Sequence, residues 1–257
     1  MKFSIITPTY KRADKLTRAV NSLRNQTYTD WEMIIVNDSP AESDYLSFEQ
    51  SINDSRIRYL KNEKNEGVNY TRNKALDAVS IHSDWTIFLD DDDYLAPDAL
   101  ETFCDLIRAY DNTNWFVTNK AYKDGTPATN FPKPDKWYSY AWDYLILKKC
   151  KGDATHCIIT KEINEIRFLK NIKQAEEWFF FFQIGLKNKF YYHDHNSIII
   201  GDYDEVSGLN FRKRNRKNEF KTILVIAYEG TINNIIYHPT FLFYLLMRLV
   251  RILIKNS

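Results

Sequence analysis

The sequence predicts an α/β protein with a mostly parallel central sheet and helices on both faces. Over the first 120 residues, short apolar runs alternate with stretches of helical periodicity, as in repeated β-α-β units. The apolar runs stop at turn-forming residues, Thr7-Pro8-Thr9 after the first and Asn37-Asp38-Ser39-Pro40 after the second. Four consecutive aspartates, Asp90 to Asp93, close another run, where an open α/β sheet presents side chains to a ligand.

Each element has its own signal. Residues 3–6 form a short strand, and Leu16, Ala19, Val20 and Leu23 then recur at i, i+3, i+4, i+7, one face of a helix. Residues 31–36 and 57–60 read as the second and third strands. Val68, Ala75, Leu76 and Val79 mark a second long helix, and Trp85-Thr86-Ile87-Phe88-Leu89 is the fourth strand. Pro97 suits the first turn of a helix that carries Leu100, Phe103, Cys104 and Ile107. Residues 115–118 form a fifth strand. From about residue 122 the rhythm weakens, and 124–144, rich in Pro, Asp, Lys and aromatics, reads as irregular chain that shapes a substrate cleft. A helix is expected from about Gln174 through Trp178 to Leu186, then a strand pair or one long strand over 190–200.

Composition bounds the function. The 257 residues are 44% hydrophobic and 15% aromatic, ample for a core. A net charge of +1 provides no global field to recruit nucleic acid, so no nucleic-acid partner is expected. Seven glycines form no Gly-rich phosphate loop, so a phosphate would be held by a metal or by basic side chains. Cys104, Cys150 and Cys157 lack C-x-x-C spacing, which fits a reducing cytosol, and the first residues enter a strand with no secretory pattern.

The aspartates need a cation, because four adjacent like charges repel and serve no folding purpose. Carboxylate clusters of this kind suit Mg²⁺ or Mn²⁺, hard ions often shared with a substrate phosphate. The plainer reading is a solvated acidic turn. Its position between an apolar strand and a Pro-led helix favours the metal.

In a parallel sheet, Thr7 to Tyr10, Asn37 to Ser39 and the aspartates lie along one edge. Asn65-Glu66-Gly67-Val68-Asn69-Tyr70-Thr71-Arg72-Asn73 enters a helix between them. With Ile6-Thr7-Pro8-Thr9-Tyr10, Val36-Asn37-Asp38-Ser39 and Phe88-Leu89-Asp90-Asp91-Asp92-Asp93, this pattern resembles glycosyltransferase family 2, of the Rossmann-like GT-A fold. The resemblance is close over roughly the first 110 residues. It implies that Thr7, Thr9 and Tyr10 line a nucleotide pocket, that Asp38 bonds the base (commonly uracil), and that Arg72 contacts base or diphosphate. It further implies that Asp90 and Asp92 form a D-x-D pair with Asp92 on the metal, Asp91 and Asp93 lending supporting charge. Asn37 stands where the family usually has Asp, which loosens the expectation for the nucleotide.

Downstream, Ala175-Glu176-Glu177-Trp178 is similar to the family's acidic pair, whose second acid is the base. Glu177 is therefore the expected catalytic base and Glu176 the second candidate. Acids in a helix's first turn are also favoured by its dipole alone. The implied organisation is a nucleotide-sugar half (1–121), an acceptor and base half of the same domain (122–220), and a C-terminal helical segment (221–257).

Other residues carry weaker signals. His193 and His195 alternate along a strand, a spacing open to metal ligation but commoner in structural roles. His156 reads as a satisfied core histidine. Arg212, Lys213, Arg214, Arg216 and Lys217 form a basic run, by default a solvated loop, otherwise a lid over diphosphate or a patch meeting anionic lipid. Residues 239–254 are nearly all apolar, interrupted by Arg248 and Arg251, with Lys255 just beyond. As a helix the stretch reaches about 24 Å, short of a roughly 30 Å hydrocarbon core. An interfacial helix over 239–255 on an anionic leaflet fits the composition, and ordinary packing on the domain is the alternative.

The resulting expectation is an inverting, Mn²⁺- or Mg²⁺-dependent transferase that moves a sugar from a nucleotide-diphosphate donor, UDP first, to a saccharide or lipid-linked saccharide hydroxyl in bacterial cell-surface glycan assembly. It would be cytoplasmic, peripheral on the inner face of the plasma membrane. The oligomeric state is left open. A non-catalytic nucleotide-sugar or carbohydrate-binding module on the same fold is the alternative. Haloacid dehalogenase phosphatases and prenyl synthases also use aspartate motifs, but Tyr94 stands where the first needs Thr and the second Asp.

Overall fold

The structure is a computed structural model that describes residues 1–170, 172, 176–201 and 216–254. Its first half alternates as the sequence predicts: β1 (Phe3–Thr9), α1 (Ala13–Arg24), β2 (Trp31–Asn37), α2 (Asp44–Ser51), β3 (Ile57–Lys61), α3 (Val68–Asp77), β4 (Trp85–Phe88), β5 (Tyr94–Leu95) and α4 (Ala99–Ala109). Then follow β6 (Trp115–Ala121), β7 (Lys136–Tyr138), a π-helix (Tyr140–Ile146), β8 (Ala154–Ile159), α5 (Thr160–Ile163), α6 (Glu177–Gly185), β9 (Phe190–Ile199), α7 (Arg216–Ile232) and α8 (Pro239–Ile254).

Among the described residues the strands form one sheet, ordered β3-β2-β1-β4-β8-β6-β9-β5, with β7 on β9. The half built from β3, β2, β1 and β4 is wholly parallel. The sheet as a whole is mixed, because β8 inserts antiparallel between β4 and β6, and β5 and β7 each pair antiparallel with β9. Two successive reversals return β6 to the direction of β4, and β9 runs parallel to β6. The carboxyl ends of β1, β2, β4, β6 and β9 and the amino end of β8 therefore share one edge.

Alternate strand residues enter separate cores, as the two-residue repeat of a strand requires. Phe3, Ile5, Met33, Ile35 and Ile87 pack beneath Leu16, Leu23, Leu100 and Phe103 of α1 and α4. Ile6, Ile34 and Val36 face the other way, with Ala75 of α3, Phe180 of α6, Ile226 of α7 and Phe241 of α8. Burying each such side chain contributes about 1.5–3 kcal/mol. Four consecutive phenylalanines, Phe179 to Phe182, are buried in α6, so most of this helix's circumference is packed in the core. Phe180 stacks on Phe168 with centroids 4.1 Å apart, and Phe88 meets both rings edge-on.

Several boundaries differ from the sequence reading. Residues 124–144 are not wholly irregular, since β7 and the start of the π-helix fall there. β9 is one long strand rather than a pair. Pro97 lies ahead of α4, whose N-cap is Asp98. The expected division at residue 221 cuts through α7, and the helix expected from Gln174 begins within the described residues at Glu177. Gln174, Ala175, Lys255 and the basic run from Arg212 to Arg214 lie outside the described residues, as does the Arg216 side chain.

Candidate functional site

The shared edge gathers the predicted residues and three cations that balance the aspartates. Arg12 Nη1 donates to Asp91 Oδ1 (3.2 Å) and Asp92 Oδ2 (2.6 Å). Lys120, at the end of β6, lies 3.3 Å from Asp90 Oδ2 and 3.0 Å from Asp93 Oδ2. Arg72 Nη2 donates to Asp90 Oδ1 at 3.1 Å, and its Nη1 donates to Glu177 Oε1 at 2.5 Å. Gly201 supplies an amide to Asp93 Oδ1 at 3.1 Å. A Cβ at Gly201 would overlap the Asp92 carbonyl and the Arg18 guanidinium, so glycine is required there.

The carboxylates divide by environment. Asp91 and Asp93 are buried, whereas Asp90 and Glu177 are 40% and 44% exposed at the side chain and open into the cleft. Burial pushes the Asp90 carboxyl up, but Lys120 and Arg72 outweigh it and hold the group well below the usual range. Burial lifts Asp91 to about 7, against the Thr9 hydroxyl and Arg12. Asp92 is also raised by burial, with Arg12 opposing and Asp90 and Asp93 reinforcing. Burial works against the charges of Lys120 and Arg72, yet their acidic partners keep both raised.

Thr9 is buried, donates to Asp91 Oδ2 (2.7 Å) and shares a 2.6 Å contact with the Tyr45 hydroxyl. Tyr10 is exposed beside it, and its amide reaches Asp91 at 3.3 Å. Thr7 differs from expectation. It is wholly buried within β1 and its hydroxyl finds no partner among the described residues, so it does not line the cleft. Asp38 has a task the sequence did not suggest. Oδ1 accepts from Asn62 Nδ2 (2.7 Å) and the Glu66 amide (2.8 Å), and Oδ2 accepts from the Gly67 amide (2.8 Å). It thereby shapes the loop into α3, where Gly67 takes a φ of 91°.

Asn69 and Asn73, which the sequence offers only as parts of a motif, clamp α3 to the chain before α6. Asn69 Nδ2 donates to the Leu169 carbonyl (2.8 Å), and Asn73 exchanges hydrogen bonds with the Phe168 amide and carbonyl (2.8 and 2.9 Å). These residues share a face of α3 with Arg72 by their i, i+3, i+4 spacing, the signal that could have revealed the clamp. Lys120 could have been found as the lone cation in the strand Trp115-Phe116-Val117-Thr118-Asn119-Lys120-Ala121.

Glu176 is corrected as a base candidate. Its side chain is 4% exposed, and its carboxylate is taken by Arg248 and by Trp178 Nε1. The histidines are structural. His193 meets Asp135 (2.7 Å) and His195 meets Ser197 (2.9 Å) and Asp98 (3.3 Å), so the two have separate partners. His156 accepts from Trp115 Nε1 at 3.1 Å and stacks on Phe181, and burial lowers it to about 3. The three cysteines are free and buried.

A divalent ion is compatible with this chemistry only in company. Asp90 and Asp92 offer hard oxygen ligands beside the cleft, but among the described residues no group of three or more His, Cys, Asp or Glu could hold an ion unaided. One or two carboxylates completed by substrate phosphates is the ordinary arrangement for Mg²⁺.

The family model described as Glycosyl transferase family 2 matches residues 4–172. TuaG of Bacillus subtilis, a glycosyltransferase named for teichuronic acid biosynthesis, is 34% identical over 180 residues, 68% of each chain. The GalNAc(5)-diNAcBac-PP-undecaprenol beta-1,3-glucosyltransferase of Campylobacter jejuni is 39% identical over 104 residues, which cover 39% of this chain and 33% of the relative. Several relatives are thus matched over only about a third of their length. The crystal structure of Staphylococcus aureus TarS 1-349 in complex with UDP-GlcNAc superposes with a TM-score of 0.74 at 22% identity, over 89% of this chain and 66% of that one. That likeness shows the GT-A-type fold.

Proposed function

The chain belongs to glycosyl transferase family 2, and on that footing we propose that it is an inverting, metal-dependent transferase of bacterial cell-surface glycan assembly. The donor is a nucleotide-diphosphate sugar, UDP-linked by preference, and the acceptor is a hydroxyl of a saccharide or lipid-linked saccharide. One observation carries the reading: Arg72 bonds Asp90, on the donor side, and Glu177, the open carboxylate at the start of α6. The undecaprenol-linked acceptor for which the Campylobacter relative is named, and the UDP-GlcNAc bound in the Staphylococcus structure, support these substrate classes.

Glu177 takes the proton of the acceptor hydroxyl as that oxygen attacks the anomeric carbon. The bond from that carbon to the diphosphate oxygen breaks, and the nucleoside diphosphate leaves with the electron pair. A single displacement inverts the centre. Arg72 orients Glu177 and offers positive charge to the diphosphate. Tyr10 and the loop held by Asp38 frame the base. Asp92 and Asp90 would hold Mn²⁺ or Mg²⁺, which when bound offsets charge on the leaving diphosphate.

The protein also contacts an anionic membrane surface, at the inner face of the plasma membrane. No helix among the described residues is long and apolar enough to cross a membrane. Instead α8 exposes Leu242, Phe243, Leu246, Val250 and Leu253 along one side, with exposed Arg251 beside them. Because Phe241, Leu245 and Ile252 on its other side are core residues, substitution tests this better than truncation. Leu246→Glu with Val250→Glu is expected to abolish co-sedimentation with phosphatidylglycerol vesicles, and unchanged binding would refute the contact.

The whole reading is tested by thermal stabilisation with a panel of nucleotide sugars, with and without Mn²⁺. A true donor raises the melting temperature by linkage. No response to any donor would refute the function, and donor stabilisation with no sugar transfer by the wild-type protein would favour a binding module.

A further inference from the structure

Glu176 and Glu177 are adjacent, yet their carboxylates part company. Glu177 turns to Arg72 in the cleft, while Glu176 is buried against α8. The cause lies in the backbone: Glu176 has φ 44° and ψ 43°, the left-handed region that a residue with a Cβ seldom adopts without something holding it there. Arg248 and Trp178 grip its carboxylate. Arg248 Nη1 and Nη2 donate to Glu176 Oε2 and Oε1 at 2.6 and 2.9 Å, and Trp178 Nε1 donates to Oε2 at 2.6 Å. The guanidinium lies 5.5 Å from the Trp178 ring, which packs edge-on against Tyr244 at 4.7 Å. A buried ion pair of this kind is poor support for stability, since desolvating both charges offsets their attraction; its better-attested use is to specify one conformation. Glu176 and Arg248 also lie outside the residues 4–172 that match the family.

We propose that Arg248 is a positioning residue for the transfer reaction: by fixing Glu176 in its left-handed turn, it directs Glu177 toward Arg72 and the acceptor. This rests on the reading of Glu177 as base. α8 is then part of the catalytic apparatus, although it contributes nothing that touches substrate. Arg248→Met is expected to lower kcat at least tenfold while donor KM stays within twofold. Arg248→Lys, which keeps the charge but not the fork, falls between. Should Arg248→Met fold poorly, the neutral pair Glu176→Gln/Arg248→Met leaves no unpaired buried charge and is expected to show the same loss of kcat. Wild-type kcat in that folded pair would overturn the proposal.

Glu177→Ala run alongside separates the two ideas. If it stays active, the base reading fails by itself, and the latch is judged by amide exchange in the full-length protein. The Phe179 amide donates to the Glu176 carbonyl at 3.1 Å, so it reports directly on the turn. Exchange at least tenfold faster there in Arg248→Met upholds the latch, and unchanged exchange overturns it.

Discussion

Arg72 and Glu177 are joined by a 2.5 Å hydrogen bond between residues 105 positions apart in the chain. The same guanidinium reaches Asp90 at 3.1 Å. One side chain on α3 therefore fixes the distance between the acidic strand end and the start of α6. It is itself almost buried, lying over the Phe168 ring at 5.3 Å.

Arg72→Lys should expose this dependence. A lysine is a single point charge and cannot span both carboxylates in the plane of a guanidinium. We expect kcat/KM for transfer to fall about 10- to 100-fold, equivalent to roughly 1.4–2.7 kcal/mol, with a smaller loss of thermal stability. Unchanged kinetics in this variant would show that the bridge is incidental.

Asn73→Ala should act on stability instead. It strips the partners from the Phe168 amide and carbonyl, both buried beside the cleft. Leaving two such groups unsatisfied costs about 2–4 kcal/mol, which for a chain of this size is a drop of about 5–10 °C in Tm. A melting curve that does not move would mean that water or a rearranged backbone satisfies them.

His156 gives the pH dependence a definite sign. Burial depresses it to about 3, so the native state keeps the ring neutral while the unfolded chain protonates near 6.5. Its contribution is present above pH 6.5 and is lost as pH falls toward 3, amounting to at most about 2 kcal/mol by pH 5. His156→Gln retains an acceptor for Trp115 Nε1 but does not titrate. The Tm difference between pH 7 and pH 5 is expected to shrink by about 4–8 °C relative to wild type, as read by calorimetry.

The parts of the fold legible in the sequence are those with strong periodicity. The α1 and α4 faces stand out because one-sided burial writes a repeat into the chain, and β1 and β2, buried on both faces, stand out as continuous apolar runs. α2 escaped because it buries only Tyr45 and Phe48. β8 escaped because Ala154-Thr155-His156-Cys157-Ile158-Ile159 lacks a clean alternation and belongs to an antiparallel insertion that a β-α-β rhythm does not foreshadow.

The site was legible to the same degree. Thr9 and the aspartates stood out by position at strand ends, and the expected roles of Thr9, Arg72, Asp90 and Asp92 came from the resemblance to the family. The resemblance ranked Glu177 above Glu176, but the pairing that takes Glu176 out of the cleft was not legible, because its partner Arg248 stands 72 positions away. Arg12 and Lys120 were missed for a similar reason: a counter-ion is recognised only once the fold brings it to its carboxylate. The hold of Asp38 on the loop before α3 was not legible, because its partners Asn62, Glu66 and Gly67 stand 24 to 29 positions away.

The central claim is that Glu177 takes the acceptor's proton, and single-turnover transfer by Glu177→Ala with a donor identified from the thermal panel tests it most directly. The account predicts a rate lower by about 10²- to 10⁴-fold, with the donor still raising Tm as it does in wild type. A rate within twofold of wild type would contradict it.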